Sequence, residues 1–204
     1  MSLAPSKLYG GEGKSPYLLE FDFPVEDLLQ KHKKEILRQF LIRRTQGEWS
    51  KNIKDVSECT PTLFRPLYDN SEFNRIITKL WLDIIDKNFI VSELTSPITM
   101  WSYVQNRDYQ SCEVHNHITS NPKSSIIGTF YTDVPSQGGD FKYYLGGPGE
   151  FHTIKPEINK IYVFPSWLYH TPTPMNDMKS RICMSVEYCC DMRVRLKDLP
   201  DVIW

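Results

Sequence analysis

The sequence predicts a mainly β protein, a sandwich or barrel with supporting α-helices gathered in its first half. Three observations carry this expectation. From Pro97 onward, short runs rich in β-branched and aromatic residues (ITMWSYV, SCEVHNH, SSIIGTFYTDV, FKYYL, KIYVF, RICMSVEYCC) alternate with Gly, Pro and Asn turns. Ahead of them, two stretches set apolar residues at helical spacing. A chain of 204 residues, 40% of them hydrophobic, suits one domain with a substantial core and leaves little room for a second. Strands at this spacing, with no internal repeat, close into sandwiches or barrels.

Along the chain, residues 1–16 are rich in Gly, Ser, Pro and Lys and read as an irregular lead-in to a strand over Tyr17 to Phe23 (YLLEFDF). From Val25 to about Arg44, Val25, Leu28, Leu29, Ile36 and Phe40 fall at helical spacing among Lys31, Lys33, Lys34, Arg38 and Arg43. These cations suit a solvated helix face better than a nucleic-acid patch. Glu48 to Tyr68, with Pro61 and Pro66, has little periodicity and reads as a long loop that could cover a site. Ser71 is placed to cap a second helix whose stripe is Phe73, Ile76, Ile77, Leu80 and Ile84. The expected organisation is a single domain over 1–204: strand and supporting helices over 17–96, a β core over 97–190 and a tail over 191–204.

Charge and cysteine content exclude several classes. Lys plus Arg number 24 against 25 Asp plus Glu, so no overall field draws the chain to nucleic acid or an anionic membrane. Cys59, Cys112, Cys183, Cys189 and Cys190 are odd in number and lack metal-finger spacing, which favours a reducing, cytoplasmic setting. The first residues contain no apolar h-region, and no run approaches the roughly 18–20 apolar residues of a membrane span. A nucleophile elbow, a P-loop and a dinucleotide fingerprint are all missing.

Four of the five histidines fall in the β half, and His115-Asn116-His117 places two of them at the spacing that shares one strand face, a parity Glu113 also has. Such a pair binds metal or stands as a hydrogen-bonded or exposed pair, and needs a third ligand to decide. His170, after the apolar run and proline of Val163 to Tyr169, can supply it. Eleven residues later, Arg181 opens a strand that sets Arg181, Cys183 and Ser185 on one face and Ile182, Met184 and Val186 on the other. An arginine turned inward is costly unless an anion meets it. His32 and His152 have no such partners and are assigned to surface or packing roles, and the cysteines of this strand to small buried hydrophobes.

With these residues in place, the segment from about Pro97 to Cys190, close to half the chain, resembles the catalytic core of the 2-oxoglutarate and Fe(II)-dependent oxygenases. HNHITSNPKSSIIGTFYTDVP, FPSWLYHTPTP and RICMSVEY are similar to a largely uncharacterised group of bacterial and phage members, in which a His-x-His pair, a Phe-Pro-Ser-x-Leu-x-His stretch and a following Arg recur. The resemblance implies a double-stranded β-helix, jelly-roll or cupin-like, flanked by N-terminal helices. It makes His115, His117 and His170 ligands of Fe(II), with 2-oxoglutarate as co-substrate beside O2. Arg181 would grip the far carboxylate bidentately, Tyr131 would bond the same carboxylate, and Ser185 and Asn106 would be weaker contacts. The implied reaction hydroxylates a C–H bond of a peptidyl or small-molecule substrate, an amino-acid side chain being slightly favoured, with release of succinate and CO2, in the cytoplasm of the cell or of a phage's host.

His117 departs from the family pattern, because that position usually carries Asp or Glu. An imidazole there leaves a ferrous centre one unit more positive. Two other readings stay open: a three-histidine oxygenase that does not use 2-oxoglutarate, with Arg181 on a substrate carboxylate, and a metal-binding or structural β-barrel without turnover.

Overall fold

The computed structural model describes residues 3–10, 17–34, 37, 72–92, 98–105, 114–118, 124–145, 149–176, 181–190, 194–199, 201 and 204. The Glu48 to Tyr68 loop, the cap at Ser71, Glu113, Asn106, Cys59 and Cys112 lie outside these residues.

Two sheets face each other as a double-stranded β-helix. The larger has the order β1-β2-β8-β5-β10-β4, built from β1 (Lys7–Tyr9), β2 (Leu18–Asp22), β4 (Thr99–Gln105), β5 (Ser124–Asp133), β8 (Lys160–Pro165) and β10 (Arg181–Cys190). The smaller has the order β7-β6-β9, built from β6 (Phe141–Tyr144), β7 (Phe151–Ile154) and β9 (His170–Pro172). A third, two-stranded sheet joins β3 (Phe89–Ile90) to β11 (Arg195–Leu196). Every described pairing is antiparallel, including β5 with β10, whose register shifts between Ile182 and Cys183.

Period-two alternation divides each strand of the large sheet between two cores. Phe130, Ile161, Val163, Ile182, Met184 and Val186 pack in one apolar layer with the helices; Ile127, Tyr131, Tyr162, Phe164 and Cys183 turn the other way, toward Phe141, Tyr143 and Ile154 of the small sheet. The helix layer is α1, helical at residues 26–34, and α2 (Glu72–Asn88). On α2 the buried stripe is Phe73, Ile77, Trp81, Ile84 and Ile85. Ile76 and Leu80, expected on the stripe, are only half-buried at its edge, because the sheet draws in Trp81. Gly128 makes this approach possible: a Cβ there would lie 2.8 Å from Trp81 Cζ3 and 2.7 Å from Ile161 Cδ1. The cations of α1 include Lys33, which pairs with Asp133 at 2.6 Å and so ties the helix to the sheet.

Three local expectations are corrected. Lys7 to Tyr9, within the irregular lead-in, is a strand paired to β2, because Ser6 and Tyr9 bond to the Glu20 carboxylate. Residues 191–204 are more than a tail: Arg195 and Leu196 pair with β3, and the Trp204 ring lies 5.3 Å from that of Phe89. His115 sits in an isolated bridge to His170, and the described residues 114–118 form no regular strand. No helix among the described residues is long and apolar enough to cross a membrane.

Candidate metal centre

The cleft between the two sheets is open to solvent, its empty space about 450 Å³ with the open mouth included, and is lined from the large sheet by Tyr103, Gln105, Thr129, Arg181, Cys183 and Ser185. His115, His117, His170, Phe141 and Pro172 face them. Although residues 114–118 are not a regular strand, their backbone is fixed at three points. His115 N–H donates to the His170 carbonyl at 3.0 Å, His170 N–H returns to the His115 carbonyl at 2.9 Å, and His117 N–H donates to the Ser166 carbonyl at 2.8 Å. The two-residue parity expected for His115 and His117 therefore survives, and both rings turn toward His170.

The three imidazoles each offer a nitrogen within 4.8 Å of the other two. His170 Nδ1 lies 2.9 Å from the Leu168 carbonyl, which can only accept, so the proton sits on Nδ1 and Nε2 is bare. That bare nitrogen lies 3.3 Å from His117 Nε2. Two imidazole nitrogens on one metal, with bonds of about 2.1 Å at roughly 90–110°, stand about 3.0–3.4 Å apart, so the spacing fits a cation. A carbonyl behind the ligating ring is the usual orienting contact of a metal histidine. Phe141 stacks on the His170 ring at 5.3 Å and Trp101 flanks His117 at 5.5 Å, which fixes the rings further.

Electrostatics keep the His117 and His170 rings neutral, the form that ligates. Burial, with His115 adding to it, pushes His117 down to about 4. Burial first, then His115 and His117, holds His170 well below the ordinary imidazole value.

Across the cleft Arg181 is 4% exposed, and its contacts are all with neutral groups. Tyr131 stands behind it, its hydroxyl accepting from Arg181 Nη2 at 3.0 Å and its ring 4.9 Å from the guanidinium carbon; it is not among the residues lining the cleft. Burial raises its pKa, an effect Arg181 opposes, and the phenol stays protonated. Ser185 does reach the cleft, bonded to Thr129 at 2.9 Å. Gln105, Tyr103, Thr129 and Phe141 were not singled out in the sequence. The parity of ITMWSYV, continued to residue 105, carries the signal for the first two. His152 is exposed and stacks on Tyr143 at 5.5 Å, and His32 packs 4.7 Å from Phe73, so neither joins the site. Cys183 lines the cleft, where its Sγ accepts from Arg181 Nη1 at 3.4 Å.

Residues 145–187 match the family model described as a putative 2OG-Fe(II) oxygenase. The match runs from the end of β6 into β10 and includes His170 and Arg181. No curated protein matches the chain. Among solved structures, a Pseudomonas putida prolyl-4-hydroxylase is similar with a TM-score of 0.60 at 14% identity, covering 86% of this chain and 93% of that one. The α-ketoglutarate-dependent carbocyclase SnoK of nogalamycin biosynthesis follows at 0.59 and 10% identity, covering 88% and 81%. HygX from Streptomyces hygroscopicus, with nickel and 2-oxoglutarate bound, gives 0.55 at 10% identity over 84% and 82%. At these identities the likeness is one of fold.

Proposed function

We propose that this protein is an Fe(II)- and 2-oxoglutarate-dependent dioxygenase that hydroxylates a C–H bond of a peptidyl or small-molecule substrate. The observation that carries this reading is one cleft with three convergent imidazoles on one wall and, on the other, a buried arginine without an anionic partner among the described residues. The family match and the iron- and 2-oxoglutarate-bound structures of similar fold support it.

In this reading His115, His117 and His170 hold Fe(II), which together with 2-oxoglutarate and O2 supplies the oxidising power, releasing succinate and CO2. The Leu168 carbonyl keeps the His170 proton on Nδ1, and Phe141 and Trp101 hold the rings in place. Arg181 attracts the far carboxylate of the co-substrate, with Tyr131 locking the guanidinium from behind. Ser185 and Thr129 add hydroxyls to the cleft floor. Asn106, outside the described residues, stays a weaker candidate contact.

Anaerobic loading with Fe(II) followed by 2-oxoglutarate should produce the weak visible charge-transfer band of the chelate. Iron-loaded protein that shows no band on addition of 2-oxoglutarate would sink the proposal. The all-imidazole ligand set favours one rival, a three-histidine oxygenase in which Arg181 holds a substrate carboxylate instead. Oxygen uptake without succinate release would select it.

A further inference from the structure

A guanidinium carries five N–H groups, and at Arg181 four are already engaged. Nε donates to the Gly139 carbonyl at 2.9 Å, Nη1 to Gln105 Oε1 at 2.7 Å and to Cys183 Sγ at 3.4 Å, and Nη2 to the Tyr131 hydroxyl at 3.0 Å. One N–H on Nη2 remains. A two-pronged grip on a carboxylate by Arg181 alone, the expectation drawn from the family resemblance, would have to break one of these contacts. Gly139 is part of the same clamp: its φ is +69°, and a Cβ there would meet Pro135 Cγ at 2.6 Å and Arg181 Cδ at 3.2 Å.

Gln105 supplies what Arg181 lacks. The guanidinium only donates, so the carboxamide oxygen must face it, and this fixes the amide with Nε2 turned away from Arg181. Among the described residues Nε2 meets no acceptor, although Gln105 is 2% exposed and lines the cleft. The register of β4 against β10 sets Gln105 directly opposite Arg181, so the two side chains enter the cleft side by side. Turned from Arg181 in a residue that lines the cleft, this donor is left for whatever fills the cleft, a ligand or water.

We propose, resting on the function read above, that Gln105 is a specificity-determining residue of the co-substrate subsite. Its Nε2 donates to a carboxylate oxygen of the dicarboxylate seated against Arg181, so the anion is read by one guanidinium N–H and one carboxamide N–H. An amide suits this position because it donates without adding charge. A carboxylate at the same place would pair with Arg181 and occupy the subsite from within.

Titration of Fe(II)-loaded protein with 2-oxoglutarate under anaerobic conditions tests this in the wild type, Gln105→Leu and Gln105→Glu, alongside Fe(II) affinity and thermal midpoint. The Leu variant should lose at least about 10-fold in 2-oxoglutarate affinity with Fe(II) affinity unchanged, since the ligand loses one donor. The Glu variant should lose about 100-fold or more while its midpoint stays level or rises, because Arg181 gains an internal counterion. A Leu variant within twofold of wild type, or one whose Fe(II) affinity falls in parallel, overturns the role of Gln105. Wild-type protein that binds Fe(II) and no 2-oxoglutarate overturns the proposed function itself.

Discussion

On its helix-facing side β10 buries Ile182, Met184 and Val186 in a wholly apolar layer, whereas the opposite side of the same strand buries Arg181, Cys183 and Ser185 almost as completely against the cleft. Equal burial serves different ends on the two faces. The apolar side chains are stabilised by leaving water and by close packing. Arg181 pays a desolvation penalty that neutral acceptors only partly offset, and it suits a face kept for an anion. The apolar face of the strand supports the fold, and the polar face spends part of that stability on binding.

The sharpest way to break this comparison is to truncate one residue on each face. Met184→Ala should lower the unfolding free energy by about 2–5 kcal/mol, read by denaturant titration, and leave 2-oxoglutarate affinity in the folded fraction within about twofold. Arg181→Met should do the reverse, losing about 100-fold or more in 2-oxoglutarate affinity, roughly 3 kcal/mol, with stability equal or higher. If Arg181→Met destabilises as much as Met184→Ala, the two faces do not differ in the way described.

A smaller effect is expected where the helix layer meets the sheet. Gly128→Ala should cost about 1–3 kcal/mol, because the new methyl group must displace Trp81 and Ile161. Its effect should be confined to stability, since residue 128 shares the helix-facing parity of Ile126 and Phe130. A change in Fe(II) affinity would show that α2 also governs the centre.

The smallest effect concerns Glu20, a buried charge that, unlike Arg181, has a counterion among its partners: Tyr9 at 2.6 Å, Ser6 at 3.1 Å and Lys160 at 3.3 Å. Burial works to raise its pKa, but the hydrogen bonds from Tyr9, Lys160 and Ser6 outweigh it and the net shift is downward. A carboxylate lowered in the folded state stabilises fully above its ordinary range, and the benefit fades as pH falls through the lowered value. Thermal midpoints taken from pH 7 to 3 should therefore fall slightly less steeply in Glu20→Gln than in wild type. Parallel profiles would mean that Glu20 adds no pH-dependent stability.

Much of the site was legible in short stretches of sequence. The alternation of RICMSVEY assigned both faces of β10 correctly, and His-x-His parity brought two imidazoles together even though residues 114–118 form only a bridge. Helix α2 was legible from its apolar stripe, although Trp81 went unnoticed at its centre. β1 and β11 were missed because strands of two or three residues are too short to show a period. Their pairing follows from Glu20 collecting hydrogen bonds and from Trp204 filling a gap beside Phe89.

The sequence by itself determined which side chains each strand presents to each face, because side-chain direction alternates residue by residue. It also supplied the three imidazoles and the inward arginine. Which partners meet Arg181 was decided only in the tertiary structure, since Gln105 lies 76 residues away and arrives through the register of β4 on β10. Register depends on the packing of every strand between them, and no local pattern records it.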